Sequence, residues 1–521
     1  MDSYNEMLKS EISSFRELGH KFLNKEVSVG DFKGASGGMG VYAQRGGQNF
    51  MIRLRTPSGI IPLKHMKLIS FFTDKYNIKQ LHLTTRQAVQ LHNLGIDDVC
   101  DIMETSIDNG LYTRGGGGNF PRNVSLSIMS GVEKNEYFDV TPFALKTGEY
   151  LMSQITTYKL PRKLKIAFSS ADNDNANATL NDLGFMAAVE NGKPYFRLFI
   201  AGGLGSNPGV SLHYDKLIET KDILYHVEAM TQLFIAEGDY KNKAKARTRY
   251  IPRRMGTDAF FECYEKHLAK VKEERNLDVD IPVVLSETLS SYSHKLPETS
   301  CLLHQRQDNL YAVIVHPLNG QLPKKDFENI VAFMEKYNLE EARISMNEDM
   351  YIRNLTEEQA QELLEITEDI RMKSKLEQSV SCIGVPTCQM GIEQSQKLVC
   401  DILKYLKENN TSDKYLPSIH ISGCQNSCSR HQINEIGFAG GKRKVGDNLE
   451  DVFDLYVGGI FSREKTELGR KIGTIIMRDI PKFINDLALE LNKNEMSFRK
   501  YLSEKENDFN EIVKPYLRSE E

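Results

Sequence analysis

No apolar run in the 521 residues is long enough to span a bilayer, which excludes a helical membrane protein. The opening stretch, MDSYNEMLKSEISSFRELGH, has no signal-peptide core, so the expected location is the cytoplasm. No charge of one sign dominates: 66 Lys and Arg stand against 71 Asp and Glu, a net charge of −5. Such a chain is no electrostatic sink for nucleic acid. It has no P-loop either. The GxGxxA string at Gly38 leads into the strand-like QNFMIRLR, and GGLGSNPG at Gly202 is interrupted by Pro208 and Gly209. A phosphate cradle needs its glycine turn to open a helix, so NAD(P)H binding within the chain is not expected. What remains is an ordinary balance of 40% hydrophobic and 26% charged residues, too long for one core and too apolar for wholesale disorder.

The chain repeats itself. Pro62–Leu94 aligns without a gap on Pro323–Leu355, at a constant offset of 261, with nine identities over 33 residues. Chance would give roughly two. The register extends upstream, with Gln44-Arg45 on Gln305-Arg306 and Gly59 on Gly320. A second block repeats at an offset near 256: Leu160-Pro161 with Leu416-Pro417, LGFMAA at Leu183 with IGFAGG at Ile436, and LFIAGGLG at Leu198 with LYVGGIF at Leu455. The order A–B–A′–B′ implies a duplicated two-domain unit with a pseudo-twofold axis. Each A copy predicts a strand (50–54 or 310–315), a helix (64–76 or 325–337) and a second strand (80–84 or 341–345), hence antiparallel or mixed sheets faced by helices.

Of the 8 cysteines, four form two tight pairs, Cys382-x5-Cys388 and Cys424-x3-Cys428. Four thiolates are the usual ligand set of a [4Fe–4S] cube. Gly384, Pro386 and Gly423 supply turns that let backbone N–H groups face the sulfurs. A zinc site is the alternative, although zinc pairs favour two to four intervening residues. Cys100, Cys263, Cys301 and Cys400 stand singly and read as core residues.

The cysteines lie in the second half; the first half carries cations instead. An offset of 260 places Arg122 on Cys382. Lys163 and Lys165, read as a strand, share one face, as do Arg53 and Arg55. Arg86 lies in TTRQ, and Lys243, Lys245, Arg247 and Arg249 alternate along KAKARTR. Each alone reads as a solvated cation. Together, among apolar neighbours, they imply a polyanionic ligand or a small anion beside a polyanionic cofactor.

In this order, the R-x-R strand before P-x-G, TTRQ, the RN motif, LPRK-x-K, a GG-L loop and C-x5-C…C-x3-C resemble the sirohaem-dependent nitrite/sulfite reductase family, from roughly Lys33 to Gly459. The resemblance implies an α+β, internally duplicated chain with ferredoxin-like halves and sirohaem/Fe–S-binding α/β domains of mixed sheets. The expected divisions are 1–115, 116–280, 281–375 and 376–521. It implies that Cys382, Cys388, Cys424 and Cys428 bind the [4Fe–4S] cluster, with Cys428 also the axial bridge to sirohaem. Arg86, Arg162, Arg247 and Arg249 would cradle the eight sirohaem carboxylates, with Gln90 and Gly202-Gly203 near the macrocycle. Arg53, Arg122, Lys163 and Lys165 would line the substrate side. Six electrons would take sulfite to sulfide or nitrite to ammonium, and Lys165, in the last position of LPRK-x-K, favours sulfite. His82 stands where many relatives have Arg. With no flavin module and no further cysteine run, an external donor such as ferredoxin or a flavoprotein is expected. A cluster-bearing scaffold or electron-transfer subunit without haem chemistry would have eroded these cations, yet they are present. Neither nucleic acid nor membrane is an expected partner.

Overall fold

The computed structural model describes residues 2–286, 293–460 and 462–518. They form two pairs of sheets. One five-stranded sheet runs in the order Val41–Ala43, Phe50–Leu54, Val89–Leu94, Gln80–Leu83 and Gln321–Pro323. Its counterpart runs Leu302–His304, Tyr311–Val315, Met350–Leu355, Glu341–Ile344 and Ile60–Pro62. Both are antiparallel throughout. The last strand of each sheet comes from the other half of the chain. Leu322 pairs with Leu81, and Ala342 with Ile61.

This exchange is reciprocal because the two donated strands are themselves repeat partners, Ile60 lying 261 residues before Gln321. It joins both sheets into one core, in which Ile61, Leu81, Leu322 and Ala342 are fully buried. The repeat extends to single hydrogen bonds. Gln44 Nε2 donates to Asn93 Oδ1 at 3.0 Å while Asn93 N donates back to Oε1 at 2.7 Å; Gln305 and Asn354 make the same two bonds at the same distances. The helices Leu63–Lys75 and Lys324–Lys336 begin and end within one residue of the sequence reading, and they pack on each other.

The other two sheets are mixed. In one, Ser125–Leu126, Ile166–Ser169 and Leu183–Glu190 are parallel neighbours, continued antiparallel by Lys193–Ile200 and Leu212–Glu219. The second repeats this with Val380–Ser381, Ile419–Ser422, Ile436–Val445, Asn448–Val457 and Arg470–Ile476, adding Leu517–Arg518 at its edge. Each sheet has its own core. The helix Thr257–Glu274 buries Phe260, Tyr264, Leu268 and Val271 against the first, one face of a helical stripe. Equivalent bonds set the register between these sheets: Ser127 N donates to Phe168 O at 3.0 Å, and Cys382 N to Ile421 O at 3.1 Å. Cys382 therefore corresponds to Ser127, not to Arg122 as the 260-residue offset suggested.

Leu322 lies on an exchanged strand, so truncating it opens a cavity in the shared core. Leu322→Ala should lower stability by about 2–5 kcal/mol. Because the strand belongs to one sheet and its chain neighbours to the other half, both ferredoxin-like halves should lose amide protection together in denaturant. Loss confined to one of them would show that the shared core does not couple them.

Candidate functional site

Two parallel strands that end side by side deliver their next residues to the same edge. Val380–Ser381 is followed by Cys382, and Ile419–Ser422 by Gly423 and Cys424. Cys388 and Cys428 follow in the adjoining turns. The sulfurs are met by donors: Gly423 N–H reaches Cys382 Sγ at 3.1 Å, and Asn426 Nδ2 reaches Cys424 Sγ at 3.3 Å. Burial, then the neighbouring Cys428, pushes the Cys382 thiol up to about 12. Burial raises the Cys388 and Cys424 thiols too, with Cys428 adding to both shifts. Four thiolates so close need positive charge among them, which is what metal ions supply. Four cysteine thiolates met by backbone and amide donors fit an iron–sulfur cluster.

Cys428 is exposed, and its charge is felt by Lys163. Its carbonyl accepts a 2.8 Å bond from Thr85 Oγ1, beside Arg86. Arg45 secures the cysteine loop from the first half: its N–H donates to Thr387 O at 3.0 Å and its Nη2 to Gly391 O at 2.6 Å. Arg430 crosses the other way, with 2.6–2.7 Å bonds to Asn177 Oδ1, Met346 O and Asn347 Oδ1.

The cations gather in the first half of the chain. Arg53, Arg55, Arg86, Arg122 and Asn123 line one cleft. Arg53 comes from the strand Phe50–Leu54, Arg86 from the turn after Gln80–Leu83, and Arg122 from the loop before Ser125–Leu126. Lys163 and Lys165 are not in a strand; they occupy the segment leading into Ile166–Ser169. Lys165 N–H donates to Asp182 Oδ2 at 2.8 Å instead of to a ladder. Of the KAKARTR alternation, Arg247 and Arg249 are buried, whereas Lys243 and Lys245 are exposed in turns.

Burial with too little counter-charge governs these groups. Arg86 is pushed down to about 9 by burial; Asp182 resists, while Arg122, Arg247 and Arg55 reinforce the shift. Arg122 falls to about 9 through burial, opposed by Tyr42 and reinforced by Arg53. Lys163 falls to about 7 through burial and the charges of Arg247 and Arg122. Lys165 is driven well below its usual range by burial, then by Lys163 and Arg86. Arg162 adds its charge against both Arg122 and Lys163. Buried Arg86 Nε, Arg247 Nε and Arg249 Nη1 have no hydrogen-bond partner among the described residues. Unmet buried donors are costly, so these await an acceptor. Gly203 leaves the room: a Cβ there would lie 3.0 Å from Arg247 Nη2 and 3.2 Å from Arg249 Nη1. Gly202 is packed, its N–H bonded to Asn181 O at 2.9 Å. The cradle fits a polycarboxylate.

Gln90 has a definite task. With its amide oxygen turned toward Arg53, it accepts Nε at 3.1 Å and Nη2 at 2.6 Å. The sequence reading missed four further contributors. Asp182 is fully buried and binds Arg247 Nη2 at 2.7 Å as well as Thr248 Oγ1. Tyr42, despite the upward push of burial, is held below its ordinary range by Arg122 and Arg53. Thr85 and Arg430 tie the halves together, as above. Two of these contributors left a sequence signal: Asp182 stands directly before the repeated LGF, and Thr85 lies within TTRQ. His82 is buried and pushed down to about 3 by burial, His92 and Arg53, so it adds no charge.

A model of the nitrite and sulphite reductase 4Fe-4S domain matches residues 117–272 and 373–488, and one of the nitrite/sulfite reductase ferredoxin-like half domain matches 42–106 and 304–370. The chain is 24% identical to sulfite reductase [ferredoxin] 1 of Mycolicibacterium paratuberculosis, over 86% of this chain and 82% of that one. It is 25% identical to a ferredoxin–nitrite reductase of Synechococcus elongatus, covering 85% and 86%. The solved structure of the Mycobacterium tuberculosis NirA protein shares the fold, with a TM-score of 0.78 at 21% identity and 97% of each chain covered.

Lys163 generates a pH prediction. Its proton leaves near pH 7 in the cofactor-free protein, and a bound anion restores it. At pH 8, binding of inorganic sulfate should take up protons; at pH 5.5, where Lys163 is already charged, its share of the uptake should vanish. Calorimetric titration in buffers of different ionisation heat reads this directly, and Lys163→Met should abolish the Lys163 share. The unfolded chain holds the proton up to about 10.4, so the Lys163 contribution also makes stability rise with pH between about 7 and that value.

Proposed function

Because the chain belongs to the nitrite and sulphite reductase family, we propose that this oxidoreductase is a sirohaem- and [4Fe–4S]-dependent six-electron reductase that takes sulfite to sulfide. The observation that carries the reading is a cluster of cations: Arg53, Arg86 and Arg122 line one cleft, and Lys163 feels the charges of both Arg122 and Cys428. Reduction of nitrite to ammonium by the same groups is the second reading, favoured by the nitrite reductases among the relatives.

Cys382, Cys388, Cys424 and Cys428 would hold the cluster, and Cys428 would also be the residue that links it to sirohaem. Arg86, Arg162, Arg247 and Arg249, with the Gly202-Gly203 backbone, receive the macrocycle carboxylates. When bound, sirohaem supplies an iron that takes the anion and the cluster supplies electrons one at a time. The protein does the rest. Arg53 and Arg122 orient the oxyanion with planar donor forks, and Lys163 and Lys165 add point charges. The Arg53 and Arg122 forks are held by main-chain carbonyls before the anion arrives, so little reorganisation opposes charge stabilisation. Lys163, poised near neutrality, suits proton delivery from its Nζ as oxygen is lost. Lys165 favours sulfite, whose dianion gains more from it than singly charged nitrite does. Electrons enter from an external one-electron donor, a ferredoxin or a flavoprotein, consistent with relatives named for ferredoxin.

Anaerobic holoenzyme given reduced methyl viologen should show a higher kcat/KM for sulfite than for nitrite. Lys165→Asn should lower the sulfite-to-nitrite ratio by about tenfold, a loss of about 1.4 kcal/mol of discrimination. An unaltered ratio would remove Lys165 as the discriminating group; turnover of neither anion would sink the reductase reading. Cys428→Ser should alter the haem absorption and lower the iron and sulfide content. Unchanged spectra and activity would refute the bridging assignment.

A further inference from the structure

The tetraglycine run 115–118 belongs to no cofactor motif, yet its main chain grips two of the cleft arginines. Gly116 O accepts Arg53 Nη1 at 2.6 Å. The Gly117 carbonyl accepts Arg122 Nη1, and Gly118 O accepts Arg122 Nη2 at 2.9 Å. Three successive carbonyls therefore hold two guanidiniums. A carbonyl is a neutral acceptor: it orients a cation without cancelling its charge. A carboxylate in the same place would bind the arginine more strongly and leave less charge for an anion.

Only glycine lets the run sit here. It lies backbone to backbone against Gly37-Gly38, with Gly115 N–H donating to Gly38 O at 2.8 Å. A Cβ on Gly117 would lie 2.2 Å from Tyr42 Oη and 2.3 Å from Gly37 O. Tyr42 Oη in turn accepts Gly118 N–H at 3.2 Å. A side chain at 117 must therefore displace the loop from Tyr42 and carry its carbonyls with it. Gln90 holds the other edge of Arg53, so the loop carbonyl fixes the remaining freedom of that fork.

We propose that the 115–118 main chain is a positioning element that aims Arg53 and Arg122 at the substrate oxyanion, and that its geometry sets affinity for that anion. The inference rests on reading the cleft as the anion site. It differs from an effect on folding or cofactor loading because it predicts a selective loss of anion binding.

The test uses holoenzyme of Gly117→Ala, with Gly110→Ala as control. Gly110 has a left-handed φ of +71°, which Gly117 does not share, and open space around it, so it reports a strained backbone without any steric displacement at the cleft. Sirohaem and iron content, Tm, kcat and KM for sulfite and nitrite, and the Kd of nitrite by absorption titration are measured for each. Gly117→Ala should raise KM and Kd about tenfold with cofactor content within about twofold, kcat changing less, while Gly110→Ala leaves KM and Kd alone. A tenfold change corresponds to about 1.4 kcal/mol. Arg122→Lys loses the two-carbonyl fork without touching the loop and should raise Kd comparably. In the double variant the two factors should not multiply, because both changes remove one contact. Unchanged KM and Kd in Gly117→Ala, or factors that multiply fully, overturns the proposal. Should Gly117→Ala not load its cofactors, Arg122→Lys decides: unchanged Kd there overturns it as well. Unaltered protein that turns over neither anion defeats the functional reading instead, and unaltered protein that is active while Gly117→Ala matches it defeats only this one.

Discussion

The reciprocal exchange of Ile60–Pro62 and Gln321–Pro323 is the constraint from which the rest of the molecule follows. Each ferredoxin-like half is completed by a strand from the other, so neither half can shift without breaking the other's sheet. That rigidity is what a charged cleft needs. Like charges brought together under burial repel, and the repulsion must be absorbed by a scaffold that does not relax. The exchange also fixes how the A half sits against the cysteine loops, which Thr85 and Arg45 then pin with hydrogen bonds to main-chain carbonyls. Long-range order is thus established by backbone pairing, and the site inherits it.

The two halves use one topology with opposite electrostatic outcomes. At the constant offset, Arg53, Arg55 and Arg86 become Ile314, His316 and Asn347, while His82 and His92 become Arg343 and Arg353. The second-half residues are compensated internally. His316 pairs with Asp349, and Arg343 and Arg353 bind Glu341 and the carbonyls of Ile128 and Ser130. In the first half, by contrast, Arg53 and Arg122 are held by carbonyls, and Asp182 is the carboxylate acting on the deeper set. At these equivalent positions, carboxylate partners are therefore concentrated in the second half.

Much of this was legible before any coordinates. The ungapped repeat at an offset of 261 located the paired strands and helices to within a residue, because amphipathic periodicity and identical Lys-Tyr-Asn turns survive in both copies. The strand exchange was not legible, since local pattern does not say which distant edge a short strand will join. Lys163 and Lys165 looked like a strand by alternation, but Lys165 spends its N–H on the side chain of Asp182, a partner that sequence spacing does not announce. The pairing of Arg122 with Cys382 failed because loop residues carry no periodicity to fix an alignment; the bonds from Ser127 and Cys382 to Phe168 and Ile421 do fix it. The four cysteines were legible as a group because thiols are scarce and these are clustered, whereas glycines 115–118 gave no hint that their carbonyls, rather than their flexibility, matter.

The corrected register explains why a duplicated scaffold keeps one cysteine set. Through the local offsets of 253–255 that the equivalent strands define, Cys382, Cys388, Cys424 and Cys428 correspond to Ser127, Glu133, Ala171 and Asn175. There the protein closes on itself: Glu133 accepts bonds from Ser170 Oγ at 3.0 Å, Asn173 Nδ2 at 2.6 Å and Asn175 Nδ2 at 3.1 Å. Two open sites would double the buried charge lacking internal compensation, and each such charge weighs against a folding free energy of only about 5–15 kcal/mol. Filling one site with its own hydrogen bonds offsets the strain stored in the other. The closed copy then serves as a brace: Asn177 of the first half, at the position equivalent to Arg430, accepts the 2.7 Å bond from Arg430 itself. The two copies meet across the pseudo-twofold axis through residues that were once equivalent, and the side without thiols holds the side that has them in place.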